Sequence, residues 1–359
     1  MAKNKKIGIL NFQYSDHNYG AVLQATALAY IVHQLGFDDV EHINFVPKRK
    51  VTLKNRIGNV LRKIGLRKSV RPVMHNKEAF ERFRQKHLKR SAKVTSHKAF
   101  QRIAQRYDAI IVGSDQVWRP SMAHNAAVYF LQGVPSSVTR VSYAASFGVD
   151  HWEPSEEEQV SLIARKELPN FHAISTREDS GVTICAQTFD VEAEHVLDPL
   201  LLVDMSFFDA VAPSSQQDYA DFVYYKLDTN PQFFADIASL EKHFGTTARN
   251  IYHQLESNVP SYEEVDIWLS SIRHAKVVLT DSFHCACIAL RFNKDVLFIV
   301  NQNRGKARFD SLFKMFDIKL KALENDLPKD IFRMSSPNFG ERYDEHRSKS
   351  LTFLKSALD

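Results

Sequence analysis

Apolar runs that stop at small or polar residues recur throughout this 359-residue chain, and they constrain its fold more than any other feature. IGIL runs into NF, AIIV into GSD, VSYAA into SFG and VVLT into DSFH. Short, consecutively apolar and β-branched stretches of this kind mark strands buried on both faces. Between them lie helical patterns such as VLQATALAYIVHQLGF and SYEEVDIWLSSIRHA, the second with Glu263 and Glu264 early, where a helix dipole favours acids. Strand and helix alternating in this way predict parallel sheets joined by crossover helices. The alternation falls into two blocks, with the linker-like APSSQQD near their seam. The expected fold is therefore α/β, with two doubly wound units facing a cleft, and the length suits two domains. We place the first at residues 1–205 and the second at 206–359, the latter ending in a mainly helical, polar stretch from 305.

Hydrophobic content of 44% and charged content of 25% suit a soluble globular protein. MAKNKKIGILNF reads as a first strand rather than a signal peptide, and no apolar run approaches the ~20 residues of a membrane span. Cys185, Cys285 and Cys287 make no disulfide framework, which fits a reducing, cytoplasmic setting. Charge is unevenly spread. Residues 47–106 carry twenty Lys and Arg against Glu78 and Glu81, a net +18, while the remainder is −13. Val51, Leu53, Ile57, Val60, Leu61, Ile64 and Leu66 recur there at roughly helical spacing, so a basic helical insertion is expected. A solvated helix face, a contact for acidic lipid at the inner membrane face, and nucleic acid all suit such a segment. No nucleic-acid motif or base-stacking pattern accompanies the charges, so nucleic acid is not an expected partner.

The chain has no GxGxxG in its first βαβ unit, and no GxxxxGK[ST], HExxH or GxSxG. His284, Cys285 and Cys287 fall short of a zinc set, for which only Cys185 remains, and no metal is expected. What the sequence does offer gathers at strand ends. Asn18, Tyr19 and Gly20 follow the first strand, Ser114, Asp115, Gln116 and Trp118 a later one, then Ser146 and Arg177. Lys226, Ser282 and His284 hold matching places in the second block. Each has a plain alternative as a turn residue, a cap, a core aromatic or half of an ion pair. Their recurrence at the same edge of both sheets points to a ligand site, because ligands of open α/β sheets bind beyond the strand C-termini.

NYGAVLQATAL, VGSDQVWRP, SYAASFG, STRE, VLDPLLL and TDSFHCACIALRF, in this order, resemble the polysaccharide pyruvyl transferase family, over about residues 5 to 320. The resemblance implies two Rossmann-like domains similar to GT-B glycosyltransferases. It also implies transfer of pyruvate from phosphoenolpyruvate to a sugar as a ketal, in assembly of bacterial surface polysaccharide, without a cofactor. The acceptor would be a sugar or lipid-linked glycan on the N-terminal side, with the donor on the C-terminal side. His284, at a helix start, would act as acid or phosphate partner, and Asp115 would orient or deprotonate an acceptor hydroxyl. Arg304 and Arg308 of NRGKARFDSLF would hold the donor anion, and Arg177 and Lys226 are further substrate-binding candidates in the cleft. Asn18, Tyr19, Gly20, Ser114, Gln116, Trp118, Ser146 and Ser282 complete the expected substrate contacts. One residue departs from the family pattern: Cys285 follows the histidine where the family has Gly, and its side chain would narrow the donor site. Two other functions stay open on the sequence. One is a nucleotide-sugar glycosyltransferase of the same architecture, and the other a non-catalytic basic protein that binds membrane or nucleic acid.

Overall fold

The structure is a computed structural model that describes residues 5–47, 74–153, 158–212, 218–256, 259–299, 306–324 and 327–359. Its N-terminal sheet contains β1 (Ile7–Leu10), β2 (Val40–His42), β3 (Ala109–Val112) and β4 (Thr139–Ser142), all parallel and ordered β2-β1-β3-β4. β1 and β3 are buried at every residue, as continuous apolar strands in a covered sheet must be. Isolated bridges from Val141 to Ala173 and from Ala145 to Thr176 lead on to the paired β5 (Ser175–Thr176) and β6 (Glu194–His195). The first crossover is α1 (Tyr19–Gln34), capped by Asn18, whose side chain accepts the Ala21 N–H.

Residues 48–73 of the expected basic insertion lie outside the described residues. From residue 74 the segment is woven into the N-terminal unit. It supplies α2 (Glu78–His87) and α3 (His97–Ala104), and its Arg90 and Val94 bridge His42 at the end of β2 and Phe45 beyond it. Part of its charge is spent internally, since Glu81 pairs with both Arg84 and Arg90. Helices α4 (Glu158–Glu167) and α5 (Asp179–Phe189) follow, and the turn of helix Pro199–Leu202 closes this half.

The C-terminal sheet runs β13-β14-β12-β11-β7-β8. β7 (Phe222–Tyr225), β8 (Ala248–Asn250), β11 (Val277–Thr280) and β12 (Asp295–Ile299) are parallel, connected through α6 (Pro231–Phe244), α7 (Val265–His274) and α8 (Phe283–Arg291). ARNIYHQL, which reads as one strand, breaks into β8 and β9 (Gln254–Glu256), and β9 pairs antiparallel with β10 (Val259–Ser261). The stretch from 305 is mainly helical, as expected, but it also holds two strands. α9 (Lys306–Phe316) leads into the antiparallel β13 (Lys319–Ala322) and β14 (Ile331–Ser335) before α10 (Phe339–Leu358). KLKA is an edge strand with most of its residues exposed, so no apolar run announces it.

One hydrophobic core joins the two halves, including Ile9, Val22 and Leu28 from the first and Trp268, Val278 and Phe298 from the second. Tyr19 stacks on Trp268 with ring centroids 4.8 Å apart and 3° between planes, and its hydroxyl donates to the Glu263 carbonyl. His75 bridges Ser261, and the Asn76 amide donates to the Tyr262 carbonyl at 2.9 Å. α10 returns to the N-terminal sheet, where Ser350 Oγ accepts the Leu197 N–H. Among the described residues no helix is long and apolar enough to cross a membrane.

Candidate active site

Where the strand ends of the two sheets meet, polar side chains collect around a buried guanidinium. Arg177 follows β5, and its side chain is 0% exposed. Its Nη1 donates to Asp198 Oδ2 at 3.0 Å, and its Nη2 lies 3.4 Å from Asp115 Oδ1. Nη1 is also 3.0 Å from His284 Nε2. A guanidinium can only donate, so Nε2 accepts, and the neutral imidazole carries its proton on Nδ1. Asp198 Oδ2 stands 3.6 Å from the same Nε2, close enough to serve as counter-charge to a doubly protonated ring. Ser114 Oγ donates to that carboxylate oxygen at 3.0 Å.

The electrostatics follow from burial and pairing. Burial opposes the charge of Asp198, but His284, Arg177 and the Leu200 N–H together hold its carboxyl well below the usual range. Asp115 is likewise depressed, with burial outweighed by Arg177, His284 and Arg308. Burial also works against the Arg177 cation, yet Asp198, Asp115 and Glu178 raise its pKa. Arg308, on α9, goes the other way: burial and the repulsion of Arg177 pull it down to about 10. The two guanidinium carbons lie 4.8 Å (Arg177) and 5.7 Å (Arg308) from the centre of one ring, Phe283.

Backbone geometry serves this centre. Asp115 and Ala144 adopt positive φ, 78° and 50°, a strained state that clusters at functional sites. Gly20 has no latitude either, because a Cβ there would stand 2.6 Å from Cβ and Cγ of His284. The imidazole thus packs with Nδ1 against the first turn of α1, and α5 and α8 also begin at this centre. First-turn N–H groups lack intrahelical partners and favour anions.

The expected site residues divide accordingly. Asp115, Ser114, Arg177, His284 and Arg308 come together, with Gly20 as the close-packed neighbour. Ser146 reaches the same region through Glu178, whose Oε1 also accepts the Phe147 and Gly148 N–H groups. Burial raises the Glu178 pKa, and its Oε2 has no hydrogen-bond partner. Lys226 Nζ pairs with Asp281 Oδ2 at 3.2 Å on the C-terminal edge, where half-buried Ser282 caps α8 by position, without a side-chain bond. Gln116 is held by Arg119, which itself pairs with Glu153. Asn18 spends its side chain on the α1 cap.

Two expected substrate contacts are core residues instead. Trp118 is 0% exposed, donates its indole N–H to the Tyr129 carbonyl and stacks near Phe130. Tyr19 is equally buried in the aromatic contact between the halves. An aromatic residue beside a strand end has the same sequence signature whether it faces ligand or core. Cys285 is fully buried too, with its thiol pushed up to about 12 by burial, and so does not line an open site. Arg304 lies outside the described residues. Asp198 is the member of this cluster that sequence reasoning missed: VLDPLLL is visible in the sequence, but its Asp caps a short helix, a common place for an aspartate. Among the described residues no cluster of three His, Cys, Asp or Glu could hold a metal ion.

A two-sheet α/β protein with a cluster of buried charges at facing strand ends is a GT-B-like protein in architecture. Over 99% of this chain and 97% of the other, it superposes on the S. aureus MnaA–UDP co-structure with a TM-score of 0.51 at 12% identity, a likeness of fold. UDP-GlcNAc 2-epimerase from Neisseria meningitidis bound to UDP-GlcNAc gives 0.44 at 10% identity, over 99% of both chains. E. coli heptosyltransferase WaaC with ADP-2-deoxy-2-fluoro heptose gives 0.39 at 12% identity, over 83% and 89%. No curated protein matches the sequence. Residues 18–303 match the polysaccharide pyruvyl transferase family, and the chain belongs to it.

Proposed function

We propose that this transferase moves pyruvate from phosphoenolpyruvate to two hydroxyls of one sugar in a surface glycan or its lipid-linked precursor, forming a ketal and releasing phosphate. The observation that carries the reading is the pair Arg177 and Arg308, one from each half, over the same phenyl ring. Two buried guanidiniums that repel each other suit a small ligand with a phosphate and a carboxylate, which relieves the repulsion. The C-terminal half adds Lys226, and the starts of α1 and α8 add backbone N–H groups.

In this reading a proton adds to the methylene carbon, and one sugar hydroxyl adds to the cationic carbon so formed. The C–O bond to phosphate then breaks and the second hydroxyl closes the ketal, while of the two hydroxyl protons one restores the acid and the other leaves on phosphate. His284 is the choice for the acid, with Asp198 balancing the ring when it holds two protons. The lowered pKa of Asp115 weakens it as a base, so its part is to orient an acceptor hydroxyl. The charged carboxylates around Arg177 keep the centre rigid while charge moves through it.

A thermal-shift panel of phosphoenolpyruvate against UDP- and GDP-sugars tests the donor. Stabilisation by phosphoenolpyruvate is expected. Stabilisation by the nucleotide sugars alone would make the protein a glycosyltransferase of the same fold.

A further inference from the structure

The donor site needs Arg308 of the C-terminal half to stand beside Arg177 of the N-terminal half, and a chain of hydrogen bonds ties their segments together. Ser311 sits three residues after Arg308 on α9, on the same helical face. Its Oγ accepts the N–H of Asp179, two residues after Arg177, at 2.9 Å. The same Oγ lies 3.1 Å from His195 Nε2, which is itself 3.1 Å from the Arg177 carbonyl oxygen. A carbonyl only accepts, so Nε2 carries a hydrogen and donates to it, with Ser311 Oγ as a second acceptor. Ser311 is 1% exposed, so water does not compete for these bonds. Burial lowers the His195 pKa, against the pull of the Arg177 carbonyl and Asp179, which keeps the ring neutral in this role. Outside the pair, Lys314 bonds Asp179 Oδ2 at 2.7 Å in a mostly solvent-exposed position, where a salt link holds little.

We propose that Ser311 and His195 pin α9 to the Arg177 segment and so fix the spacing of the two guanidiniums, acting as positioning residues for the anionic donor. This rests on the reading of phosphoenolpyruvate as that donor. Neither residue touches the centre itself: His195 meets Arg177 through its backbone, and Ser311 meets Asp179 through its N–H. Loss of the pin lets α9 shift, which changes the distance between the charges that grip phosphate and carboxylate while leaving the acceptor side alone.

Calorimetric titration of the intact chain with phosphoenolpyruvate, together with hydrogen exchange of residues 306–316, tests the pin. His195→Leu and Ser311→Ala should weaken phosphoenolpyruvate binding about tenfold, speed exchange of α9 and leave the acceptor KM unchanged. His195→Gln retains an N–H donor and should stay within about threefold of wild type. Wild-type binding and wild-type exchange in His195→Leu would overturn the proposal, as would His195→Gln failing as badly as His195→Leu. If the wild-type chain binds no phosphoenolpyruvate, the donor reading falls, and exchange decides the pin alone. Faster α9 exchange in His195→Leu with recovery in His195→Gln then upholds it, and unchanged exchange sinks it.

Discussion

Arg177 and Arg308 lie against the same phenyl ring, yet the two halves of the protein treat them in opposite ways. The N-terminal half surrounds Arg177 with Asp115 and Asp198, and its charge is reinforced. Arg308 enters from the C-terminal half into the field of Arg177, and its charge is resisted. A cation favoured by its surroundings holds a structure together, whereas one that burial and a like charge disfavour gains from a bound anion. The neighbours on the N-terminal side, Ser114, Asp198 and Glu178, hold backbone and side chains in place, while on the C-terminal edge Lys226 is already paired with Asp281.

If that contrast is right, Arg177→Ala has the largest effect of any single change. It strands two buried carboxylates, a kind of loss that costs about 3–5 kcal/mol, and both melting temperature and transfer should collapse. A variant that melts like wild type would show Arg177 to be no more structural than Arg308. His284→Ala should lower turnover by ~10²- to 10⁴-fold with the fold retained, read from initial rates alongside melting curves. Gly20→Ala attacks the same ring from the other side, since its Cβ would overlap the imidazole. Its rate should fall in parallel with that of His284→Ala, and normal turnover would place the ring elsewhere.

The N-terminal half also holds His42, 1% exposed on β2, whose pKa burial pulls down to about 4. The unfolded chain takes up a proton there near ~6.5, so stability should fall as pH drops from about 6.5 towards 4. The full difference is worth about 3 kcal/mol, and His42→Gln should remove it from urea-melt stabilities measured across that range. A slope unchanged in the variant would assign the effect to other buried histidines such as His195.

The sheets were legible because buried parallel strands are continuous apolar runs, and AIIV and VVLT could be little else. The edge strand KLKA was hidden by its exposed, charged residues. At the site, SFH and STRE declared themselves through unusual residue types at strand ends. Asp198 did not, because a capping aspartate is common, and only the fold reveals that its other oxygen meets Ser114 and Arg177. Trp118 and Tyr19 misled for the opposite reason: large aromatic residues near a ligand edge are as often the packing beneath it. The His195–Ser311 contact spans 116 residues, and although Ser311 lies within NRGKARFDSLF, no spacing could announce its partner.

Phosphoenolpyruvate binding to Arg308→Ala, measured by calorimetry beside its melting curve, tests the division between the halves most directly. The melting temperature should stay near wild type, since burial and Arg177 disfavour the Arg308 charge more than Asp115 and Glu178 favour it. Affinity should fall by roughly ten- to a hundred-fold, the worth of a charge-assisted contact. Unaltered affinity, or a collapse of the fold like that expected for Arg177→Ala, would contradict the assignment of ligand charge to the C-terminal half.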